Sequence, residues 1–272
     1  MPTQEQKCRQ FAALHAQAEA FIIPNPWDVG SARLLQGLGF KALATTSSGF
    51  AYTLGKADGE PTLEETLTHC RAVVSATDIP LSADFEDGFA SDPGQVAKNV
   101  TALVATGVAG CSIEDFDRES KSLHELPLAV ERVAAAVEVT RGLDFPFTLT
   151  ARAEQLLRSG RDLDEVIKRL QAFEAAGADV LYAPLIASLE DIRTVTSELT
   201  KPLNVLAGVV PGATLADYQE AGAQRISVGG RLAFAAVKPT IEFGEAMQRE
   251  GSFEWAAHVA PYDRIIELLG KE

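Results

Sequence analysis

The chain has 272 residues, of which 46% are hydrophobic and 23% charged, an ordinary composition for a globular protein with a substantial core. Its formal net charge of −14 argues against nucleic-acid binding, which requires clustered Lys and Arg. Its three cysteines, at positions 8, 70 and 111, are too far apart in sequence to form a disulfide framework or a zinc motif. Since there is no signal-peptide-like or membrane-spanning apolar run, we expect a cytoplasmic protein that does not contact membranes.

A helix–glycine–strand pattern recurs along the chain, in LQGLGFKALATTS, VATGVAGCSIED, FEAAGADVLYAP and YQEAGAQRISVGG. Glycine suits the left-handed residue that closes a helix, and the apolar run that follows suits a strand covered on both faces. The recurrence therefore predicts alternating helices and strands around a parallel sheet.

The short apolar runs predict eight strands in chain order, at Phe21–Asn25, Ala42–Thr46, Leu81–Glu86, Gly110–Asp115, Phe147–Ala153, Val180–Pro184, Leu203–Ala207 and Arg225–Gly229. The amphipathic segments between them predict seven helices, at Trp27–Leu38, Thr62–Ser75, Pro93–Thr106, Pro127–Arg141, Leu163–Ala176, Ser188–Leu199 and Thr214–Ala221. Eight such units favour an α/β fold in which residues 1–238 form a (β/α)8 TIM-type barrel, with an open doubly wound sheet as the alternative.

Residues 239–272 contain no further strand pattern and are expected to form a C-terminal helical extension of the same domain. Two interpretations stay open for this segment. It either closes the barrel or packs on a neighbouring subunit.

Acidic residues gather where the third and fourth predicted strands end, at Asp84, Glu86 and Glu114. In a barrel, the active site lies at this end of the strands, and side chains alternate along a strand, so these three carboxylates should converge. Unpaired, they would repel one another, and a divalent cation would relieve the repulsion. All-oxygen ligands suit Mg²⁺ or Mn²⁺. We expect Asp84 to be the direct ligand, with Glu86 and Glu114 acting through water; solvated turn residues are the alternative.

Arg152 is the only cation predicted at a strand end on this face. Its guanidinium could bind a substrate carboxylate, form a structural ion pair with Glu114 or Glu154, or do both. After the second strand, Ser47, Ser48 and Gly49 are expected to form a small polar loop whose backbone N–H groups can reach an anionic oxygen.

Several chemistries are disfavoured by residue placement. Because no Lys lies near the C-terminal end of a strand, a Schiff-base aldolase is disfavoured. None of the four histidines is at a predicted strand end, which argues against a His-ligated metal or a Ser-His-Asp hydrolase. His124 is expected to be an exposed loop residue.

The chain resembles the isocitrate lyase/phosphoenolpyruvate mutase family through NPWDVGSARLLQGLGFKALATTSSG, ADFEDGFA, SIED, TARAE and RISVGG, in this order. The resemblance implies a barrel that binds Mg²⁺ and a small 2-oxo acid, an enolpyruvate-like intermediate, and an oligomer that exchanges a C-terminal helix. Ser48, Gly49 and Phe50 are similar to the family's carboxylate-binding loop, and Asp58 to its acidic residue near the metal waters. Asp84, Glu86 and Glu114 match the metal-binding acids, and Arg152 matches the substrate-binding arginine.

The loop after the fourth strand departs from the family pattern. Members that cleave isocitrate or methylisocitrate carry Lys-Lys-Cys-Gly-His there, whereas this chain reads DFDRESKSLHELP, so we do not expect that activity. Enzymes that act on P–C bonds carry a Lys-Thr-Asn-type segment; here only Lys121 and Ser122 are available. Loss of CO₂ needs no protein base, whereas cleavage of a hydroxy acid needs one, and Tyr52 and Lys121 are candidates for that base only by default.

Three functional hypotheses follow. The preferred one is a Mg²⁺-dependent lyase or decarboxylase acting on a small, oxaloacetate-like 2-oxo acid, with Arg152, Glu114 and Lys121 as its catalytic residues. The second is a phosphonopyruvate P–C bond hydrolase or mutase. The third is a 2-oxo-acid-binding protein with little catalysis.

Overall fold

The computed structural model describes residues 1–270 and contains two sheets. The strands are β1 (Phe21–Ile23), β2 (Leu43–Ala44), β3 (Leu81–Asp84), β4 (Gly110–Glu114), β5 (Phe116–Asp117), β6 (Ser122–Leu123), β7 (Thr148–Arg152), β8 (Val180–Tyr182), β9 (Leu203–Leu206) and β10 (Arg225–Ser227). All but β5 and β6 belong to one parallel sheet, in the order β1-β10-β9-β8-β7-β4-β3-β2. From β2 to β10, neighbours in this sheet follow one another among its own strands, and the first strand, β1, pairs with the last, β10.

The sheet closes almost completely into a barrel. Its two end strands, β1 and β2, are joined by a hydrogen bond from the Ala44 backbone N to the Pro24 carbonyl, at 3.1 Å. The predicted (β/α)8 barrel is therefore confirmed, and the open sheet is excluded. All eight predicted strands are present but shorter than expected, because their polar ends already belong to the loops at the site.

The helices surround the barrel and extend beyond it. They are α1 (Gln4–Ala16), α2 (Val29–Gly37), α3 (Ser47–Thr53), α4 (Leu63–Ala76), α5 (Pro93–Val104), α6 (Leu126–Arg141), α7 (Gln155–Arg158), α8 (Leu163–Ala175), α9 (Leu189–Ser197), α10 (Leu215–Glu220), α11 (Arg231–Glu250) and α12 (Tyr262–Leu268). A short 3₁₀ segment covers Glu254–His258. None of the helices within residues 1–270 is long and apolar enough to span a membrane.

Alternation along the strands divides the core into two layers. Outward-facing residues such as Ile113, Leu149 and Leu181 pack with the surrounding helices in the main hydrophobic cluster. Inward-facing positions are more polar, and Ser112, Asn204 and Ser227 line a cavity inside the barrel. The barrel interior thus offers hydrogen-bonding groups rather than a purely apolar filling.

Helix α1 was not predicted from the sequence. It begins at a capping box in which Thr3 and Gln6 bond each other's backbone N–H groups. Its Cys8 and Phe11 pack with Phe21 in a second buried cluster, below the N-terminal end of the barrel. The sequence of this helix is mostly polar, so its short apolar face was not recognised as a helix pattern.

The predicted boundary between 238 and 239 falls inside α11, and from there to residue 270 the chain forms the rest of α11, the 3₁₀ segment and α12. Residues 271 and 272 of the predicted extension lie outside the described part. Helix α11 runs through Pro239 without a break, and Ala233 is its only buried residue. Helix α12 packs back against α2.

Candidate active site

Asp84 is the last residue of β3 and is fixed by its neighbours. Its backbone N donates to Thr45 Oγ1 at 2.8 Å, and its Oδ2 accepts a hydrogen bond from the Ser47 backbone N at 2.9 Å. The other carboxylate oxygen, Oδ1, is buried and has no hydrogen-bond partner in the described part of the chain. One oxygen of Asp84 is therefore held in place while the other is left free for a ligand.

Arg152, the last residue of β7, lies between the acidic strand ends. It is in register with Glu114 of β4, so the two side chains face the same side of the sheet. Its Nη1 is 3.4 Å from Glu114 Oε2 and 3.8 Å from Asp84 Oδ1, and its Nε donates to Glu154 Oε1 at 2.5 Å. The expected ion pairs with Glu114 and Glu154 are both present.

Glu86 follows β3 in a left-handed backbone conformation, with φ of 47°. Such a conformation is uncommon for a residue other than glycine and often marks a functional loop. Arg118 Nη1 lies 3.7 Å from Glu86 Oε2, and the Arg118 guanidinium stacks over the Phe89 ring. Arg118 is therefore a second cation at this face, in addition to Arg152 at its strand end. Arg118 was missed because it lies beyond the strand end, in a loop with no sequence signal.

Asp58 reaches the cluster from the loop between α3 and α4. Burial raises its pKa, as does the nearby Asp84 carboxylate, whereas a hydrogen bond from the Ser47 side chain lowers it. The next residue, Gly59, adopts a positive φ and lies close to Glu86. The structure thus brings together the four predicted metal-binding acids, although Asp58 is distant from the other three in sequence.

The site raises the pKa of two of its carboxyl groups, Glu86 and Glu114. Burial raises the pKa of Glu86 to about 8, with Arg118 opposing this effect and Asp84 and Asp58 adding to it. The pKa of Glu114 is also raised by burial and by its acidic neighbours, although Arg152 opposes the shift. Burial is the main cause of both shifts, and the like charges that share the site add to it.

The donor chemistry of this cluster fits a hydrated divalent cation. Within residues 1–270, no group of three or more His, Cys, Asp or Glu side chains is close enough to form a complete metal cage. Mg²⁺ does not need one, since it usually keeps several waters and takes one or two carboxylates directly. The free Oδ1 of Asp84, surrounded by acids with raised pKa values, matches that requirement.

The Ser47–Phe50 segment differs from its predicted form. These residues form the first turn of α3, which is capped by the Thr46 side chain, rather than a loop. Ser48 Oγ lies 3.2 Å from Thr46 Oγ1 and contacts Gly230, and a Cβ on Gly49 would collide with Thr46. The Phe50 ring stacks on His69 instead of facing the carboxylates. Of this segment, Ser47 contacts the cluster, through its backbone N to Asp84 and its side chain to Asp58.

The loop after β4 folds into the β5–β6 hairpin. Lys121 is exposed at its turn and forms no ion pair within residues 1–270, so it is not brought to the cluster. His124 is buried rather than exposed as predicted, because its backbone N donates to the Asp115 carbonyl and draws the hairpin against the barrel.

Four residues lining the interior cavity had not been singled out in the sequence: Tyr182, Asn204, Arg225 and Ser227. Asn204 Nδ2 donates to Ser227 Oγ at 3.0 Å, and Asn204 Oδ1 accepts from Arg225 Nε at 2.8 Å. The signal available was period-2 alternation in LYAP, LNVL and RIS, where polar residues take inward positions.

Comparison with known proteins agrees with this architecture. Residues 11–247 match the family model described as phosphoenolpyruvate phosphomutase. The chain is 33% identical to 2-methylisocitrate lyase of Escherichia coli K12, over 70% of each chain. A solved Burkholderia cenocepacia J2315 structure, provisionally titled a lyase/mutase, is 44% identical, with a TM-score of 0.92 and coverage of 96% of this chain and 95% of that one. Oxaloacetate acetylhydrolase bound to its product oxalate is 26% identical, with a TM-score of 0.87 and coverage of 99% and 96%. The chain therefore belongs to the isocitrate lyase/phosphoenolpyruvate mutase family.

Proposed function

We propose that this protein is a Mg²⁺-dependent lyase or decarboxylase that acts on a small, oxaloacetate-like 2-oxo acid through an enolpyruvate intermediate. The observation that carries the proposal is the meeting of Asp84, Glu114 and Arg152 at the carboxyl ends of neighbouring strands. The names of the relatives support the reaction class, since they include a 2-methylisocitrate lyase and an oxaloacetate acetylhydrolase.

The metal would be held by the four acids. Asp84 would contact it directly through its free Oδ1, and Glu86, Glu114 and Asp58 would lie around it through water. Mn²⁺ has a similar ligand preference and is the alternative. When bound, the cation would supply Lewis-acid polarisation of the 2-oxo group.

Arg152 would bind and orient the substrate carboxylate. Its Nε is committed to the fully buried Glu154, and this pair fixes the direction of the guanidinium. The side chain is only 16% exposed, so a carboxylate that reaches it is largely removed from water, where a charge-assisted hydrogen bond is strongest. The Ser47 and Ser48 end of α3, with Gly49 and Phe50 behind it, would form the adjoining wall.

Carbon–carbon cleavage with loss of CO₂ is the reaction that needs the fewest catalytic groups besides the metal and Arg152. When the C3–C4 bond of oxaloacetate breaks, its electron pair enters the enolate and CO₂ leaves, so no protein base is needed. Lys121, the acid–base candidate named by default, is exposed at the tip of the hairpin. This placement supports a decarboxylase more than an enzyme that must deprotonate a hydroxy acid.

The proposal is tested by measuring pyruvate formation from oxaloacetate with and without Mg²⁺. We expect turnover well above that of free Mg²⁺ and its loss in Asp84→Ala, by at least about 100-fold. Asp144→Ala is the matched control, since Asp144 is an exposed acid in the loop that leads into β7, at the opposite end of the barrel. Wild-type turnover no faster than free Mg²⁺ would refute decarboxylation; phosphonopyruvate cleavage and 2-oxo acid binding would then be measured.

A further inference from the structure

Arg225 is a buried cation inside the barrel. It begins β10 and is in register with Asn204 of β9, which is in turn in register with Tyr182 of β8. The register places its side chain on the inner face of the barrel, where Arg225 lines the same cavity as Arg152 and Asp84. The residue is only 5% exposed.

The polar partners of Arg225 are uncharged. Its Nε donates to Asn204 Oδ1 at 2.8 Å, and its Nη1 lies 3.4 Å from His15 Nε2. His15 Nδ1 is 2.8 Å from the Phe11 carbonyl and must donate to it, so Nε2 carries the lone pair. Burial lowers the pKa of His15 to about 3, with Arg225 adding to the effect, and the ring is therefore neutral. Within residues 1–270, no carboxylate lies within ion-pairing distance of Arg225.

The other buried guanidiniums are better compensated. Arg152 is paired with Glu154 and Glu114, and Arg169 with Asp115. Arg132 lacks a carboxylate partner, but it donates to three backbone carbonyls, of Asp87, Ala90 and Glu114. Arg225 has one well-formed hydrogen bond and a second, longer contact with His15. A buried charge with so few partners is costly unless a counter-ion reaches it.

The cavity offers space and donors for such a counter-ion. The cavity has a volume of about 50 Å³, room for a small group only, and its lining includes the hydroxyl groups of Ser112, Tyr182 and Ser227 together with the Arg225 guanidinium. The Tyr182 phenol faces Ser227, and burial raises its pKa, so it is a neutral group rather than an anion. The polar groups around Arg225 are therefore neutral, and an entering anion would meet a cation without a competing carboxylate beside it.

We propose that Arg225 forms the floor of a second anion site inside the barrel, which takes a small anionic group. That group is either a free monovalent anion of halide size or a carboxylate of the bound 2-oxo acid. The second source rests on the proposed function, whereas the first does not. The cavity would then hold two cations, Arg152 at the carboxyl end of the strands and Arg225 at their amino end.

Bromide provides the first test. Crystals of the full chain grown in sodium bromide should show an anomalous peak within hydrogen-bonding distance of the Arg225 guanidinium. In solution, bromide should raise the unfolding temperature of the wild type relative to gluconate, which is too large to enter, at equal ionic strength. This difference should vanish in Arg225→Met and persist in Arg231→Met, which removes an exposed guanidinium that donates to the Gly208 carbonyl.

Oxalate, a small dicarboxylate, distinguishes the two sources. If the site receives a substrate carboxylate, oxalate should displace bromide, and Arg225→Met should weaken oxalate binding by at least about tenfold. If the site is for a free anion, bromide should remain bound beside oxalate. If Arg225→Met fails to fold, Arg225→Lys replaces it in both experiments. Lysine keeps the charge, so this variant should retain part of the stabilisation by bromide and part of the oxalate affinity.

The inference is overturned if no bromide peak lies at Arg225 and Arg225→Met leaves oxalate affinity unchanged. Neither readout uses turnover. An enzyme that binds bromide at Arg225 but fails to decarboxylate oxaloacetate would refute the proposed function alone. An active decarboxylase with no bromide peak, and with the same oxalate affinity in Arg225→Met, would refute the anion site alone.

Discussion

Glu154 shows how a single residue can prepare the site without belonging to the acidic cluster. Its side chain is fully buried, accepts from Arg152 Nε at 2.5 Å and from Arg158 Nε at 3.1 Å, and its backbone N donates to Asp115 Oδ1. Asp115 is itself paired with Arg169. The orientation of Arg152 is thus set by a chain of buried charges that extends to α8, a helix in which no functional residue was predicted.

Burial of His69 makes the stability of the protein depend on pH. The His69 ring stacks on Phe50 with centroids 4.1 Å apart, and its buried Nε2 has no hydrogen-bond partner among residues 1–270. Burial lowers the pKa of His69 to about 4 from the ordinary value of 6.5, with Asp28 opposing the shift. As the pH falls below 6.5, the unfolded chain therefore takes up a proton before the folded chain does, and stability is lost as the pH approaches 4.

His69→Phe should remove this pH dependence and keep the ring stack. Between about pH 7 and about pH 5, we expect the free energy of unfolding to fall by roughly 1.5–2 kcal/mol less in the variant than in the wild type. Urea denaturation at the two pH values measures the difference. His15, whose pKa is also lowered, remains in both proteins, so some acid sensitivity should persist. If the free energy of unfolding changes with pH equally in the variant and the wild type, His69 is not the source of this acid sensitivity.

At the scale of elements, the sequence predicted the barrel and the acidic strand ends because both depend on local patterns. Glycine-terminated helices followed by apolar runs identified the units, and acids directly after strands identified Asp84, Glu86 and Glu114. What was missed depends on tertiary contacts. Helix α1 is stabilised by packing under the barrel, and the role of Arg225 emerges only from the register of β8, β9 and β10.

The docking of α12 onto α2 depends on a position without a side chain. A Cβ on Gly37, the last residue of α2, would overlap the backbone carbonyl of Leu268. Gly37→Ala should therefore displace α12, although alanine is the better helix former. Hydrogen exchange of amides in Tyr262–Leu268 should become at least about tenfold faster, while exchange in the barrel strands stays unchanged.

Gly244→Ala is the matched control for this substitution. Gly244 lies inside α11, and no atom is within 4 Å of the position its Cβ would take. That variant should stabilise α11 by about 0.5–1 kcal/mol and leave α12 exchange as in the wild type. Equal exchange of α12 in both glycine variants would show that Gly37 does not control its docking.

At the scale of the whole molecule, the C-terminal helices leave a large apolar surface uncovered. Within the described residues, α11 buries only Ala233, whereas Phe234, Ile241 and Met247 are 51%, 57% and 40% exposed. Phe253, Val259 and Tyr262 extend this surface beyond the helix. Exposed apolar patches of this kind usually mark an interface between proteins. This surface supports the interpretation in which the extension packs on a neighbouring subunit, in a dimer or tetramer.

We therefore predict that the full chain is an oligomer in solution, as measured by light scattering after size-exclusion chromatography. Ile241→Glu should shift the population to smaller species, because a charge at an apolar interface loses its hydration without gaining a partner. Gln248→Glu places the same charge at another exposed position of α11 and should leave the assembly intact. A wild-type chain that is monomeric at all concentrations would instead assign α11 and α12 to closing the barrel, and the exposed apolar residues would then need another partner.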